Sequence, residues 1–407
     1  MRVAGRVSVG IHACRTQSTR QRATRREAMR PLDDVTVVDL SLKLPGPYAT
    51  KLLADAGAAV VSVEPPHGDY LGDPESAEYR ETYRMLNEGK RSVKVDLKDD
   101  RGRQFVHDVV AEADVVVEGF APGTAERLGV DYDTLQAIND DLVYCSLSGY
   151  GQTGPRRSEP GHDLNYQAVA GFLDEDDPAP PKTPVADYGG ATMLALAALV
   201  ALWGRDRGGG GQYVDLAMFD VIASWNAVHA PWTTSDVVAR DHDPVIGGEY
   251  PCYNTYETAD GRHLALGAME RNFWVGLCEA LDRPDLVDEQ FATGGQDSDA
   301  YRELQDEFRQ RPLDAWVDDL GEDIPVSPVQ TTTEAVEDPQ VAAREHLLTP
   351  DEQGEPALSF ALPIAFSNVE RGGSEAAVAE TLARAGYDTD ELAELADAGV
   401  VTDRELD

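Results

Sequence analysis

From Val35 onward, short apolar runs alternate with stretches in which apolar residues recur every three or four positions. Val35–Leu40, Ala58–Glu64, Asp114–Glu118 and Leu142–Leu147 are nearly continuous apolar runs of strand length, and Arg91–Leu97 alternates at period two. Pro47–Ala56 and Asp99–Ala113 read as the intervening helices. The first carries proline in its opening turn, where a missing N–H costs nothing. The second places Phe105, Val106, Val109 and Val110 on one face. Repeated strand–helix–strand units predict an α/β fold with a large, doubly wound parallel sheet covered by helices on both faces. Gly190–Arg205 then reads as an apolar helix; its richest part, Ala191–Trp203, is too short to span a membrane and is expected to be buried. Gly208–Gly211 is a turn, Gln212–Leu216 a strand and Ala217–Val228 a helix.

At Tyr250 the pattern changes. Cys252–Glu257 and His263–Gly267, separated by the turn Ala259–Gly261, read as a hairpin. Helices follow at Asn272–Leu281, Tyr301–Arg309 and Pro312–Leu320, so a smaller α+β domain is expected. Further helices near Thr333–Glu345 and Ala376–Gly386 suit a return to the first domain. The expected division is 31–228 (large domain), 229–247 (linker), 248–325 (small domain) and 326–407 (C-terminal return), which agrees with the two domains that 407 residues suggest. Residues 1–30 hold eight arginines, one glutamate and no aspartate, and read as a basic tail or as a mis-assigned start preceding Met29.

Charge changes the picture most. The chain carries 74 acidic against 35 basic residues, a formal net charge of −39, and only six of the basic residues are lysine. Such a surface repels nucleic acid and anionic membranes, so neither is expected as a partner. Because the acids sit among regular hydrophobic blocks, disorder is not their explanation. They fit a protein of multimolar salt, where the Debye length falls to about 3 Å and self-repulsion is screened. The four cysteines are widely spaced and form no Cys/His cluster, which suggests neither a disulfide framework nor a metal site and suits a cytoplasmic location.

Three segments carry candidate chemistry: Gly161–Tyr166, Val185–Gly190 and Gly267–Phe273. Asp187 ends an extended run before the apolar helix. It reads as a helix N-cap or as a reactive carboxylate held ionised by the dipole, with adjacent glycines leaving room for a ligand. His162 reads as a helix-start histidine or as a general base, since imidazole titrates near neutrality. Glu270 reads as a first-turn glutamate or as the group that orients a histidine. G-x-S-x-G is absent, the glycine run lacks Lys-Ser/Thr, and no G-x-G-x-x-G follows the first strand. Leu44–Tyr48 instead occupies the turn between first strand and first helix, where doubly wound folds bind ligands.

In order and spacing, Val38-Asp39-Leu40 with Pro45-Gly46-Pro47, Asn87–Ser92, Val117–Phe120 with Pro122-Gly123, Arg127-Leu128-Gly129 and Ser148–Gln152 resemble the family III CoA-transferase (CaiB/BaiF-like) superfamily. Gly161-His162-Asp163, Asn165-Tyr166 and Gly267–Glu270 look most like its α-methylacyl-CoA racemases. The resemblance implies an interlocked homodimer acting on acyl-CoA, with no metal or other cofactor, since coenzyme A is part of the substrate. It implies CoA contacts at Gly119, Phe120, Arg127 and Lys90. It also implies catalysis by His162, Asp187 and Glu270, with the Asp163 N–H at the thioester oxygen and Thr183 where racemases place an asparagine. The expected activity is racemisation of 2-methylacyl-CoA by proton transfer through an enolate. The alternative is CoA transfer between carboxylic acids with Asp187 as nucleophile.

The charge reading has a direct test: dialysis from concentrated KCl into dilute buffer should abolish the far-ultraviolet circular dichroism of the helices, and an unchanged spectrum would refute salt adaptation.

Overall fold

The computed structural model describes residues 29–68, 76–173, 178–227, 229, 247–344, 347–348, 359–369, 372 and 375–403. Residues 1–28 of the basic tail and residues 230–246 of the expected linker lie outside these.

The apolar runs form a seven-stranded sheet built on β1 (Thr36–Asp39), β2 (Ala59–Glu64), β3 (Arg91–Val95), β4 (Val115–Glu118), β5 (Val143–Ser148) and β6 (Gln212–Ala217). Its order across the sheet is β3-β2-β1-β4-β5-β6, all parallel. Residues of β1, β2, β4 and β5 are buried along their whole length, which explains their unbroken hydrophobicity. The connecting helices are α1 (Pro45–Asp55), α2 (Ala77–Asn87), α3 (Asp100–Ala111), α4 (Thr124–Leu128), α5 (Tyr132–Gln136), α6 (Asp163–Val169), α7 (Val185–Gly204) and α8 (Met218–Asn226). One core lies under α3, around Phe105, Val106, Val109 and Val110, and includes Val378, Leu382 and Leu392 from the C-terminal helices Glu375–Arg384 and Thr389–Asp397. The opposite core packs α1 and α7 on the other face.

The smaller unit is a three-stranded antiparallel sheet of β7 (Tyr253–Glu257), β8 (His263–Gly267) and β9 (Val326–Pro328). Helix α9 (Arg271–Ala280) and two further helices cover it, around the fully buried Trp274, Tyr256 and Phe308. After a two-residue pairing of β10 (Leu347–Leu348) with β11 (Ser359–Phe360), the chain closes the large sheet with β12 (Val401–Asp403), antiparallel to β3. Val400 and Val401 at this edge are buried in the core beneath α3.

Two expectations are corrected. Helix α7 starts at Val185, not Gly190, so Asp187 lies inside its first turn. Nor is the apolar stretch within α7 wholly buried: Met193, Leu196, Leu199, Val200 and Trp203 are exposed, the last two at 62% and 64%. By length and composition, this is the one described helix that could cross a membrane, with half its apolar window buried against the protein.

Order reverses between β1 and β4: β2 and β3 lie to one side of this pair, β5 and β6 to the other. The loops leaving the C-terminal ends of β1 and β4 therefore diverge and open a crevice. The β1–α1 loop is fastened from below. Asp39, at the end of β1, accepts hydrogen bonds from Ser41 N (3.0 Å), the Ser41 and Thr50 hydroxyls, and Lys90 Nζ (3.3 Å). Lys90 also donates to the Pro47 carbonyl (2.7 Å) and the Asn87 side chain (3.2 Å), and both ionic side chains are wholly inaccessible. Removing one partner leaves a buried, uncompensated charge. Lys90→Met should thus cost about 3–5 kcal/mol, measured by guanidinium denaturation in concentrated KCl.

Candidate active site

The crevice at the switch point has a volume of about 400 Å³. Ser41–Gly46 from the β1–α1 loop, Gly119–Pro122 after β4, Leu147–Tyr150 at the end of β5, and Gly161–Asp163 line it, together with Asp187. Of the residues singled out in the sequence, it unites His162, Asp163, Asp187, Gly119 and Phe120.

One carboxylate organises this group. Asp163, first residue of α6, accepts from the backbone N–H groups of Ala186 (2.7 Å) and Asp187 (3.2 Å) on one oxygen and from Gln167 Nε2 (2.5 Å) on the other. The cap of α7 is thus supplied from α6, twenty-odd residues earlier in the chain. Pro184 occupies the N-cap position of α7 and makes no side-chain cap bond. Asp187 is therefore not the cap that its sequence position suggested, and its carboxylate is left to face the crevice. Nor do the neighbouring glycines leave room for a ligand: a Cβ on Gly189 would lie 2.6 Å from the Trp225 ring, and one on Gly190 2.7 Å from Met218. They are small because α8 packs against α7 there. His162 immediately precedes α6, and its N–H donates to Asn165 Oδ1 (3.0 Å). Its ring is exposed. Below it, Tyr166 ties the loop by donating to the Gly161 carbonyl (2.6 Å) and meets the Tyr150 ring edge-on.

The electrostatics follow from the geometry. Burial first, and then the negative charge of Asp163, push the proton affinity of Asp187 up to a pKa of about 6, while Lys43 pulls it down. Glu118, behind Phe120, is pushed up to about 7 by burial, against the hydrogen bonds it accepts from Ser146 and from Phe120 N (2.7 Å).

Other candidates lie elsewhere. Glu270 is the exposed N-cap residue of α9 in the small unit and does not line the crevice with His162. Thr183 is exposed in the turn before α7 and outside the crevice lining. Lys90 is not available for a CoA phosphate, because its ammonium is buried on Asp39 and Pro47. Arg127 is exposed in the last turn of α4, donating to Thr124 Oγ1 (2.6 Å). Conversely, sequence reading passed over Lys43 and Arg157, both of which line the crevice. Lys43 could have been suspected from its place in the first strand–helix turn of a chain with six lysines. Among the described residues no cluster of His, Cys, Asp or Glu could hold a metal ion.

Comparison with known proteins agrees with the architecture. The sequence model of CoA-transferase family III matches residues 32–377. Succinyl-CoA:mesaconate CoA-transferase of Haloarcula hispanica is 36% identical over 350 residues, covering 80% of this chain and 87% of that protein. The human α-methylacyl-CoA racemase is 33% identical, over 79% of this chain and 84% of its own length. A crystal structure of a CAIB/BAIF family protein from Brucella suis superposes with a TM-score of 0.74 at 30% identity, covering 88% of this chain and 99% of that one.

Any reaction that uses Asp187 as an anion should lose kcat/KM as the pH falls through about 6. Asp163→Asn, which keeps an acceptor for the α7 N–H groups but removes the repelling charge, should move that limb to lower pH. The sign for stability is opposite to that of an ion-paired carboxylate. With the folded pKa above the unfolded one near 4, the site favours folding fully at low pH, and this contribution is lost as the pH rises through about 6. Asp187→Asn should therefore stabilise the fold only above that window, read from denaturation midpoints across pH.

Proposed function

The chain belongs to CoA-transferase family III, and on that premise we propose that it moves coenzyme A from one carboxylic acid to another through covalent intermediates on Asp187. The observation that carries this reading is the state of Asp187: a half-buried carboxylate at the switch-point crevice, positioned through its backbone by Asp163 and raised to a pKa of about 6. At pH 7 to 8 it is ionised, yet more basic than an ordinary carboxylate, and so a better nucleophile.

The steps balance as follows. The Asp187 carboxylate attacks the thioester carbonyl of the donor, forming a mixed anhydride and releasing the CoA thiolate. The thiolate attacks the aspartyl carbonyl of that anhydride, giving an Asp187–CoA thioester and freeing the donor acid as its carboxylate. The acceptor carboxylate attacks this thioester, re-forming an anhydride and the thiolate. The thiolate then takes the acceptor's acyl carbon, and Asp187 returns as a carboxylate. Each addition develops an oxyanion, for which the Asp163 N–H at the start of α6 is a candidate donor. Among the described residues it has no acceptor.

The racemase expected from the sequence becomes the second reading. What favours it is that His162 shares the crevice with Asp187, as two-sided proton transfer requires. What disfavours it is the position of Glu270, which in one chain does not reach His162, together with the transferase named as the more similar relative. A homodimer is part of the proposal in either case: a second copy would cover the exposed apolar face of α7 and could bring its own Glu270 to the crevice. A reducing cytoplasm suits the three described cysteines, all free and buried.

The test incubates the protein, in concentrated KCl and deuterated buffer, with (2R)-2-methylbutyryl-CoA, with and without succinate. CoA arriving on succinate, with no deuterium at the α-carbon, supports transfer. In that case Asp187→Ala should slow transfer about a thousandfold or more, and hydroxylamine should trap the peptide containing Asp187. Deuterium entry with inversion and no need of the acid would instead establish the racemase.

A further inference from the structure

Glu118 ends β4 at the switch point, and neither reading of the chemistry uses it. It is only 3% exposed, and the carboxylates of Glu126 on α4 and Asp215 on β6 repel its charge. A cavity of about 300 Å³ reaches it from behind Phe120. The other titratable groups lining that cavity are Glu126, Asp131 and Asp133 with Tyr132, Tyr144 and Tyr213, and no basic side chain lines it. A glutamine would fill the same space without this electrostatic cost. The carboxylate is therefore kept for what it holds.

Phe120, Ala121 and Pro122 line both this cavity and the crevice, so the wall between the two has open space on either side. Packing alone does not fix such a wall. Glu118 fastens it directly, because Phe120 N donates to its Oε2 at 2.7 Å. Glu118 also reaches the next wall. Ser146 is its register partner on β5 and hydrogen-bonds it, and Ser146 Oγ accepts from Gln152 Nε2 (3.0 Å). Gln152 follows Leu147–Tyr150, the β5 segment that lines the crevice, and its own N–H is held by Asp215 (3.1 Å). Donors from both loops thus converge on one carboxylate. When ionised it only accepts, and it serves Phe120 and Ser146 together. When protonated it carries a hydrogen of its own, competes with Ser146 for an acceptor, and loses the charge assistance of its bond to Phe120. We propose that Glu118 is a positioning residue for acyl-CoA: acting through Phe120 and, by way of Ser146, through Gln152, its carboxylate holds the two loops that wall the crevice in their binding arrangement. This deepens the reading above and rests on the crevice accepting an acyl-CoA. Burial pushes the Glu118 pKa up to about 7, so the hold should slacken as the pH falls through that value.

The test measures binding without turnover. Butyryl-CoA is titrated calorimetrically into the Asp187→Ala protein in concentrated KCl, between about one pH unit below and about one above 7, with and without Glu118→Gln. Titrations common to both proteins, such as that of the CoA phosphate, cancel in the comparison. With Glu118 in place, Kd should rise about tenfold as the pH falls through this range, the scale of charge assistance in one hydrogen bond. Glutamine does not ionise, so Glu118→Gln should bind at every pH as weakly as the Glu118 protein does at the acid end. Stability should move the other way. A folded pKa raised above the ordinary glutamate value favours folding at low pH, and this contribution is lost as the pH rises through about 7. Glu118→Gln should therefore melt at a higher temperature than its parent above that pH while binding less tightly. Binding curves displaced in parallel at every pH would overturn the proposal, showing a structural role alone. Equal affinities at the alkaline end would overturn it as well. If butyryl-CoA binds at no pH, the proposal falls together with the reading of the crevice. Transfer is assayed separately with Asp187 in place: if wild type moves no CoA while the pH dependence of binding holds, the transferase reading falls and the role of Glu118 stands.

Discussion

The Asp163 carboxylate is the group on which the site depends. It starts α6 and at the same time satisfies the backbone N–H groups that open α7, so the two helix N-termini converge on one negative charge. Both helix dipoles favour an anion there. Because α7 is capped by another element, its own first-turn aspartate is released from that duty. The same junction sets His162, one residue before α6, on the wall of the crevice that Asp187 enters. Geometry and electrostatics are thus not independent. The charge that positions the Asp187 backbone also raises the proton affinity of its side chain.

The crevice itself is a property of the sheet. A parallel sheet whose order reverses between β1 and β4 must send the following loops in opposite directions, and the opening lies at their strands' C-terminal ends. The buried Asp39–Lys90 pair works one layer beneath. It gains little over an apolar pair in net stability, but it fixes the path of the β1–α1 loop through the Pro47 carbonyl and the Ser41 backbone. That loop then carries Lys43 in its left-handed turn. Arg157 lines the same crevice.

The large and small units make different contributions. The large domain alone assembles the Asp187 carboxylate, His162, Lys43 and Arg157 around a crevice of about 400 Å³. The small unit keeps Glu270 exposed at the N-cap of α9. The exposed Val200 and Trp203 on α7 form an apolar surface of the kind that monomers seldom leave uncovered. A site completed between two copies would account for both features.

How much of this was legible in sequence follows from the range over which each signal acts. Strand runs such as Val115–Glu118 and the amphipathic helix around Phe105 are local patterns, and burial on both faces leaves them unambiguous; the order and spacing of short motifs likewise pointed to the family. His162 and Asp187 could be singled out as unusual residues. Their bland and reactive readings stayed open because a helix cap is recognised locally, whereas the cap of α7 comes from Asp163, across a turn and another helix. Lys90, within its motif, was expected to contact CoA, and only its hydrogen bonds to Asp39 and the Pro47 carbonyl show its ammonium turned inward. Lys43 gave almost no local signal. Its effect on Asp187 exists only because the β1–α1 loop and the start of α7 line one crevice. The sequence by itself determined the elements, the fold class and a short list of reactive side chains, because periodicity and composition act over a few residues. The tertiary structure alone decided which of those side chains are consumed in holding the fold and which face the crevice, because hydrogen bonds and charges couple groups that are distant along the chain.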